Sequence, residues 1–210
     1  VVSGVGWTEL FEKSGCDVVS GGQSMNPSVQ ELSAGMENGQ YEKYIILPNN
    51  KNIILAAQQL KKMLGEKVHI VPSTNPMEGL AAAMVFDGKA TIAENLDAMA
   101  DRLSDIRSGM ITTAVRDSIV GESTIHKDDF MGFVKGCEVI SVPELSDCFM
   151  QVLGELIDED TEIVTVYYGK DLSEEDCQKE IEKAEKAYPD VTFEMYEGDQ
   201  PLYPMFIAAE

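Results

Sequence analysis

Eight consecutive residues combine the features of a binding loop: Gly21, Gly22, Gln23, Ser24, Met25, Asn26, Pro27 and Ser28. They follow an apolar run at residues 17–20 and precede an amphipathic segment, which predicts a loop from a buried strand into a helix. The glycines permit a close backbone approach, and Ser28 with Glu31 has the form of a capping box. Free N–H groups, an amide and hydroxyls suit a carboxylate, a phosphate or a peptide backbone. A plain, well-capped strand-to-helix connection is the alternative.

Polar side chains also follow the next two predicted strands. Asn49, Asn50 and Asn52 come after the apolar run at residues 44–47, and Ser73 and Thr74 come after the run at residues 68–71. Because ligands of open parallel sheets bind at the carboxyl ends of the strands, we expect all three loops to share one edge. They offer amides, hydroxyls and helix N-termini but no general base or activated nucleophile, so we predict a binding site without a catalytic residue.

The elements around these loops alternate between strand and helix patterns. Apolar runs predict strands at residues 1–5, 17–20, 44–47 and 68–71, with helices between and after them, and a longer helix spans residues 91–106. Such repeats predict an α/β fold: a mostly parallel sheet with helices on both faces, followed by a smaller α+β lobe. We divide the chain into an α/β lobe at 1–108, an antiparallel β connection at 109–142 and an acidic α+β lobe at 143–210.

A second glycine loop lies near the carboxyl end. The spacing of Gly198, Gln200 and Pro204 repeats the spacing of Gly21, Gln23 and Pro27, and a predicted strand precedes each loop. An internal duplication would give the two halves equivalent loops, with Gly198 and Gln200 as further binding residues. Chance similarity over so few positions is the alternative.

Charge and cysteine usage exclude several classes of function. The net charge is −21, which argues against nucleic acid or an anionic membrane as a partner. From Pro143 onward there are 19 acidic and 4 basic residues, which indicates a solvated acidic face or a surface for a basic protein. No apolar run is long enough to span a membrane. The four widely separated cysteines predict reduced thiols, a cytoplasmic location and no metal site.

Linked motifs along the whole chain resemble the C-terminal region of the dihydroxyacetone-kinase-like proteins, which include the kinase subunit of bacterial fatty acid kinase. The motifs are GGQSMNPS, YIILPNNKNIILAAQQ, HIVPSTNPMEGLAAAM, ITTAVRDS, DEDTEIVTVYYGKDLSEED and YPDVTFEMYEGDQPLYPMFIAAE. The first half also resembles the DegV fold of that enzyme's fatty-acid-binding subunit. One departure is Asp199, where the family pattern implies a second glycine.

The resemblance implies a fragment of a fatty acid kinase whose own task is to dock the DegV-like fatty-acid-binding protein. ATP and magnesium are implied for a kinase domain outside this chain, and no cofactor is implied within it. A domain that binds a fatty acid or another small anion is the alternative function, and an independent enzyme is a third. A second copy of the chain is a further candidate partner.

The acidic region generates a first testable prediction. If the net charge of −15 after residue 142 steers a basic partner, association should slow as salt rises from about 50 to 500 mM, because the Debye length falls from more than ten to a few ångströms. Stopped-flow measurement of the association rate tests this. An association rate that stays constant across that range would exclude electrostatic steering of a basic partner. The acidic residues would then form only a solvated face.

Overall fold

The computed structural model describes residues 1–37 and 41–210, which form two units, Val1–Ile106 and Arg107–Glu210. This division differs from the three predicted parts, because the segment at 109–142 belongs to the second unit and shares its sheet. Across the described residues, no helix has both the length and the apolar character that a membrane span requires.

The first unit is mainly helical, with short parallel strands. Its strands are β1 (Tyr44–Ile46) and β2 (Val68–Ile70), which pair in parallel. Its helices are α1 (Val5–Lys13), α2 (Val29–Glu37), α3 (Lys51–Leu64), α4 (Pro76–Met84) and α5 (Ile92–Asp105), and a single 3-10 turn, Gly65–Lys67, precedes β2.

Two predicted strands of this unit are much shorter than expected. Residues 1–5 and 17–20 form only an isolated parallel bridge between Val2 and Ser20. The backbone of Gly4 has φ 108° and α1 begins at Val5, so the chain turns away before a longer strand can form. The prediction of a five-residue strand was therefore wrong, although the parallel direction of the pairing is as expected.

Side-chain caps fix where the helices begin. Asn50 caps α3, Asn75 caps α4, and Thr91 forms a reciprocal capping box with Glu94 at the start of α5. Each cap satisfies a backbone N–H that has no acceptor within the helix. The polar residues after the strands thus have a structural role in starting the helices.

The second unit contains the larger sheet of the molecule. Its helices are α6 (Leu145–Leu156) and α7 (Glu174–Ala187). Its strands are β3 (Arg107–Thr113), β4 (Ser118–Val120), β5 (Ser123–Ile125), β6 (Phe130–Val134), β7 (Ile140–Val142), β8 (Ile163–Tyr168), β9 (Thr192–Glu197) and β10 (Met205–Ala209).

Six of these strands form one mixed sheet in the order β7-β6-β3-β10-β8-β9, in which only β8 and β9 are parallel. The predicted connection at 109–142 supplies half of this sheet, so it is not separate from the second lobe. The last strand, β10, inserts between β3 and β8. Pairing between segments about a hundred residues apart cannot be read from local patterns, which explains the error.

The core of this unit depends on two glycines that face one side chain. Val152 of α6 lies against Gly109 of β3 and Gly132 of β6, and a Cβ atom at either glycine would come within 2.6 Å of a Val152 methyl carbon. Val152 itself is completely buried. The absence of side chains at these two positions lets α6 approach the sheet.

We therefore expect Gly132→Ala to lower the free energy of unfolding by about 1–3 kcal/mol, because the added methyl group overpacks a filled core. Gly88→Ala is the matched control, since a Cβ at Gly88 meets no atom within 4 Å. Urea unfolding of both variants measures the difference. Equal stability of the two variants would contradict this account of the packing. When Val152→Ala is added to Gly132→Ala, the loss of unfolding free energy should be smaller than the sum of the two single losses.

Candidate functional site

The side chain of Asn49 connects three parts of the first unit just beyond the end of β1. Its backbone N–H donates to the Ser73 Oγ at 3.0 Å, and the Ser73 hydroxyl donates to the Asn49 Oδ1 at 2.6 Å. The Asn49 Nδ2 donates to the Val1 carbonyl at 3.0 Å. Asn49 and Ser73 are both buried. These two predicted binding residues therefore hold the edge of the sheet together.

Two backbone features make this arrangement possible. Asn49 has φ 58°, a left-handed conformation that asparagine tolerates better than most residues. Gly79 of α4 packs so closely on the Asn49 side chain that a Cβ atom would overlap with its amide group. A side chain at position 79 would clash with the Asn49 amide, and most residues other than glycine would be strained at the φ of position 49.

Asn50 connects this loop to the glycine loop. Its Oδ1 accepts from the Asn52 N–H at 2.9 Å, and its Nδ2 donates to the Met25 carbonyl at 3.3 Å. With the Asn49–Ser73 contacts, this bond shows that the three polar loops lie at one edge, as the sequence predicted. The exposed side chain of Asn52 lies beside them in the first turn of α3.

The third loop contains a buried carboxylate, Glu78, which is not among the predicted binding residues. The Glu78 Oε2 accepts from the Thr74 N–H at 2.6 Å and from the Thr74 hydroxyl at 2.9 Å. The Glu78 N–H donates to the Asn75 Oδ1 at 2.9 Å. Glu78 is 5% exposed. In the sequence, the spacing of Asn75 and Glu78 fits a helix start, and this spacing could have been used to identify Glu78. It indicates a carboxylate with a structural role.

The glycine loop is held in a fixed conformation. Gly21 is buried against Ser3, whose Oγ would lie 2.6 Å from a Cβ at this position. Gly22 has φ 63° and Met25 has φ 50°, and Met25, which is 5% exposed, anchors the middle of the loop. The Asn26 N–H donates to the Gly21 carbonyl at 3.2 Å, which closes the turn.

The end of this loop is the predicted capping box. The Glu31 N–H donates to the Ser28 Oγ at 3.2 Å, and the Glu31 Oε2 accepts from the Ser28 N–H at 2.7 Å. The hydrogen bonds from the Ser28 backbone and hydroxyl hold the pKa of Glu31 below its usual value. Because Ser28 and Glu31 cap α2 between them, the remaining polar side chains of the loop are not needed for that purpose.

Gln23, Ser24, Asn26 and Asn52 are the predicted residues whose side chains remain available. All four are exposed, and within residues 1–37 and 41–210 their side chains have no hydrogen-bond partner. Pro27 is buried beside the first three. The structure thus separates predicted residues whose polar groups hold the loops and helix starts together from four exposed polar side chains that a partner or ligand can reach.

The second glycine loop differs from the first. The Gly198 N–H donates to the Tyr168 carbonyl at 2.9 Å. The Gln200 Nε2 donates to the carbonyls of Tyr167 and Tyr203 at 3.1 and 3.0 Å, and Gln200 is 1% exposed. Gln23 is exposed whereas Gln200 is buried, so the two loops do not present equivalent side chains.

The described residues do not fit a magnesium site. Among them, no group of three or more His, Cys, Asp or Glu side chains is placed to hold a metal ion. At the candidate edge, the Glu78 Oε2 accepts two hydrogen bonds from Thr74. The exposed amide and hydroxyl groups of this edge can form hydrogen bonds with a ligand or a partner.

Comparison with protein families gives one match over the whole chain. The model for the C-terminal region of FakA-like fatty acid kinase proteins covers residues 1–210. Uncharacterized proteins of Staphylococcus aureus strains USA300 and MRSA252 are each 36% identical over 208 residues, which is 99% of this chain and 38% of the relative. The chain therefore spans well under half of the length of these relatives.

Comparison with solved structures identifies the fold. The DegV family protein Cg2579 from Corynebacterium glutamicum has a TM-score of 0.60 and 16% identity, over 88% of this chain and 81% of that one. A fatty-acid-binding DegV family protein from Thermus thermophilus has a TM-score of 0.57 and 11% identity, over 98% and 85%. The Streptococcus pneumoniae fatty acid kinase B3 protein, loaded with linoleic acid, has a TM-score of 0.55 and 11% identity, over 88% and 76%.

These likenesses show a DegV-type fold and extend over most of the chain. The expectation that only the first half is DegV-like was therefore wrong. The second unit was misjudged because its antiparallel strands were read as a separate connection.

The buried network generates a prediction on stability. We expect Asn49→Ala to lower the free energy of unfolding by about 1–3 kcal/mol, because it removes the side-chain donor to the Val1 carbonyl and the acceptor of the Ser73 O–H and places alanine at positive φ. Asn52→Ala, on an exposed side chain of the neighbouring turn, should change it by less than about 0.5 kcal/mol. Chemical denaturation tests both, and similar values for the two variants would contradict the assigned role of Asn49.

Proposed function

Since this chain belongs to the FakA-like C-terminal family of the fatty acid kinases, we propose that it is a non-catalytic module that docks a DegV-like fatty-acid-binding protein. Phosphorylation of the fatty acid, with ATP and magnesium, is then the task of another part of the longer protein. The observation that carries the proposal is the row of exposed polar side chains at Gln23, Ser24 and Asn26 on an otherwise rigid edge.

The rigidity of this edge supports a docking role. Its backbone is fixed by the Ser28 cap, the buried Met25 and the Asn50 bond to the Met25 carbonyl. Side chains presented on a preorganised loop lose little conformational entropy when they bind, which favours recognition. Loops placed by a rigid scaffold are also the usual location of binding residues.

The partner that we propose is a protein of the same general kind as the S. pneumoniae B3 protein, which was solved with linoleic acid. A cytoplasmic location fits this role. It is supported by the four free cysteines, of which Cys148 and Cys177 are completely buried, because unpaired thiols are typical of reducing compartments.

A second candidate function is binding of a carboxylate, such as the head group of a fatty acid, at the same edge. The Ser3 Oγ favours it: this atom is buried, lies next to Gly21 and has no hydrogen-bond partner in the described part of the chain. Titration of the 210-residue chain with a radiolabelled fatty acid tests this alternative. Saturable binding that is lost in Ser3→Ala would favour it over docking.

We expect the double variant Gln23→Ala, Asn26→Ala to bind the DegV-like partner from the same organism at least about tenfold more weakly, which corresponds to about 1.4 kcal/mol. Its thermal stability should stay unchanged, because neither side chain has an internal partner. Isothermal titration calorimetry and thermal melts on the same samples measure both quantities.

Gln178→Ala is the control for this experiment, because Gln178 is an exposed glutamine of the second unit. It should leave affinity unchanged. Unchanged affinity together with a lower melting temperature in the double variant would show that the two amides only shape the turn.

A further inference from the structure

The strand β9 forms one outer edge of the six-stranded sheet in the second unit. It is six residues long and pairs with β8 over its whole length without a bulge. The other edge strand, β7, has three residues and lies beside the β4–β5 hairpin, where the Ser123 hydroxyl donates to the Val139 carbonyl at 2.7 Å. Proteins usually shorten or cover an edge strand, because its unpaired backbone groups can bind another chain. In the described part of the chain, this protection is present at β7 and not at β9.

The hydrogen bonds at the two ends of β9 fix the direction of its backbone groups. The Thr192 N–H donates to the Glu162 carbonyl and the Gly198 N–H donates to the Tyr168 carbonyl, both at 2.9 Å. The backbone groups of successive strand residues point to opposite sides, and this alternation is unbroken from Thr192 to Gly198. Every second residue of β9, counted from Thr192, therefore turns its N–H and carbonyl groups towards β8.

The remaining residues of β9 turn their backbone groups away from the sheet. These residues are Phe193, Met195 and Glu197. Within residues 1–37 and 41–210, their N–H and carbonyl groups have no hydrogen-bond partner. The side chains of Phe193 and Met195 pack against the core of the unit, which holds the strand in place. The outer side of β9 is thus a fixed row of free donors and acceptors, which is the template that an added strand requires.

The side chains of Glu194 and Tyr196 lie on the face of the sheet that is opposite to this core. Tyr196 stacks on Tyr167 of β8, with their ring centroids 5.9 Å apart, and its hydroxyl donates to the Glu194 Oε2 at 3.1 Å. Tyr196 is 46% exposed. A carboxylate beside an exposed aromatic ring favours a cationic side chain, which can form both an ion pair and a cation–π contact.

The acidic side chains of this edge have no basic partners. Glu194 and Glu197 are exposed, and neither forms an ion pair in the part of the chain that the structure describes. The hydrogen bond to Glu194 raises the pKa of Tyr196, because a nearby negative charge disfavours the tyrosinate. A second copy of the chain would bring the same carboxylates together across the edge, and like charges repel. Charge complementarity therefore favours a basic occupant.

We propose that β9 is a docking strand, which accepts an extended, basic segment of a partner protein as an additional strand of the sheet. In this segment, basic and apolar side chains alternate, because successive side chains of a strand point to opposite faces. Lys or Arg lies next to Glu194 and Tyr196, and Val or Ile lies next to Phe193 and Met195. The proposal is independent of the polar edge of the first unit.

The test uses the 210-residue chain and an end-capped synthetic peptide of about eight residues in which Lys and Val alternate. A peptide with Glu in place of Lys tests the charge. The Lys–Val peptide methylated at every backbone nitrogen tests the strand pairing, because it cannot donate hydrogen bonds. Measured by fluorescence anisotropy, the Lys–Val peptide should bind at least about tenfold more tightly than either control peptide.

Amide exchange measured by NMR identifies the edge to which the peptide binds. The Lys–Val peptide should slow exchange by about tenfold or more at Phe193, Met195 and Glu197, whose N–H groups are free. Exchange at Glu194 and Tyr196 should change much less, because their N–H groups already face β8. Attachment of a basic peptide by charge alone does not produce this alternation.

A charge reversal at the edge provides the matched comparison. Glu194→Lys should weaken binding of the Lys–Val peptide by about tenfold or more. Glu122→Lys makes the same change of charge at an exposed residue between β4 and β5, beside the other edge of the sheet. It should change the affinity by less than about twofold, because solvent and salt screen distant charges. Thermal melts verify that both variants are folded.

Equal binding of either control peptide would overturn the proposal, and so would equal losses of affinity in the two variants. An exchange pattern that does not alternate along β9 would also overturn it. Analytical ultracentrifugation of the chain without peptide tests the remaining occupant. If a dimer forms in which the amides of Phe193, Met195 and Glu197 are already protected, a second copy occupies the edge and the basic segment is rejected.

Discussion

The hydrogen bonds of one buried side chain, Asn49, hold the candidate edge of the first unit together. Its amide and backbone N–H connect the carbonyl of Val1, the end of β1 and the hydroxyl of Ser73 after β2. Asn49 and Ser73 are buried, so their polar groups need partners inside the protein. Because these groups form hydrogen bonds with one another, the chain segments from which the polar loops begin are held in fixed positions.

From this constraint follows a division of roles among residues of similar chemistry. Asn49, Asn50 and Ser73 are polar, but their hydrogen-bonding groups are engaged with neighbouring loops. Gln23 and Asn26 carry the same amide group on an exposed, rigid turn. These two side chains are available to a ligand or partner, because the backbone and the helix starts of this edge already have their hydrogen bonds.

The second unit is organised by a different constraint, the close approach of α6 to its sheet. Gly109 and Gly132 leave room for Val152, and the central strand β10 is buried along its whole length. Gln200 serves this unit by bonding two carbonyls near the start of β10. The two glycine loops are therefore similar in sequence but not in structure, because the buried Gln200 has a structural role that Gln23 does not have.

The sequence by itself determined the local features of this protein. Apolar patterns located β1, β2 and α5, and the pair Ser28 with Glu31 marked a helix start, because these features depend on residues that are close in sequence. The linked motifs indicated the family, and the strand-helix order predicted a shared edge for three loops. Only the tertiary structure decided which of those polar residues are exposed, that residues 109–142 and β10 share one sheet, and that residues 1–5 form a bridge and a helix start. These outcomes depend on hydrogen bonds and packing between segments distant in sequence, whose partners no local pattern specifies.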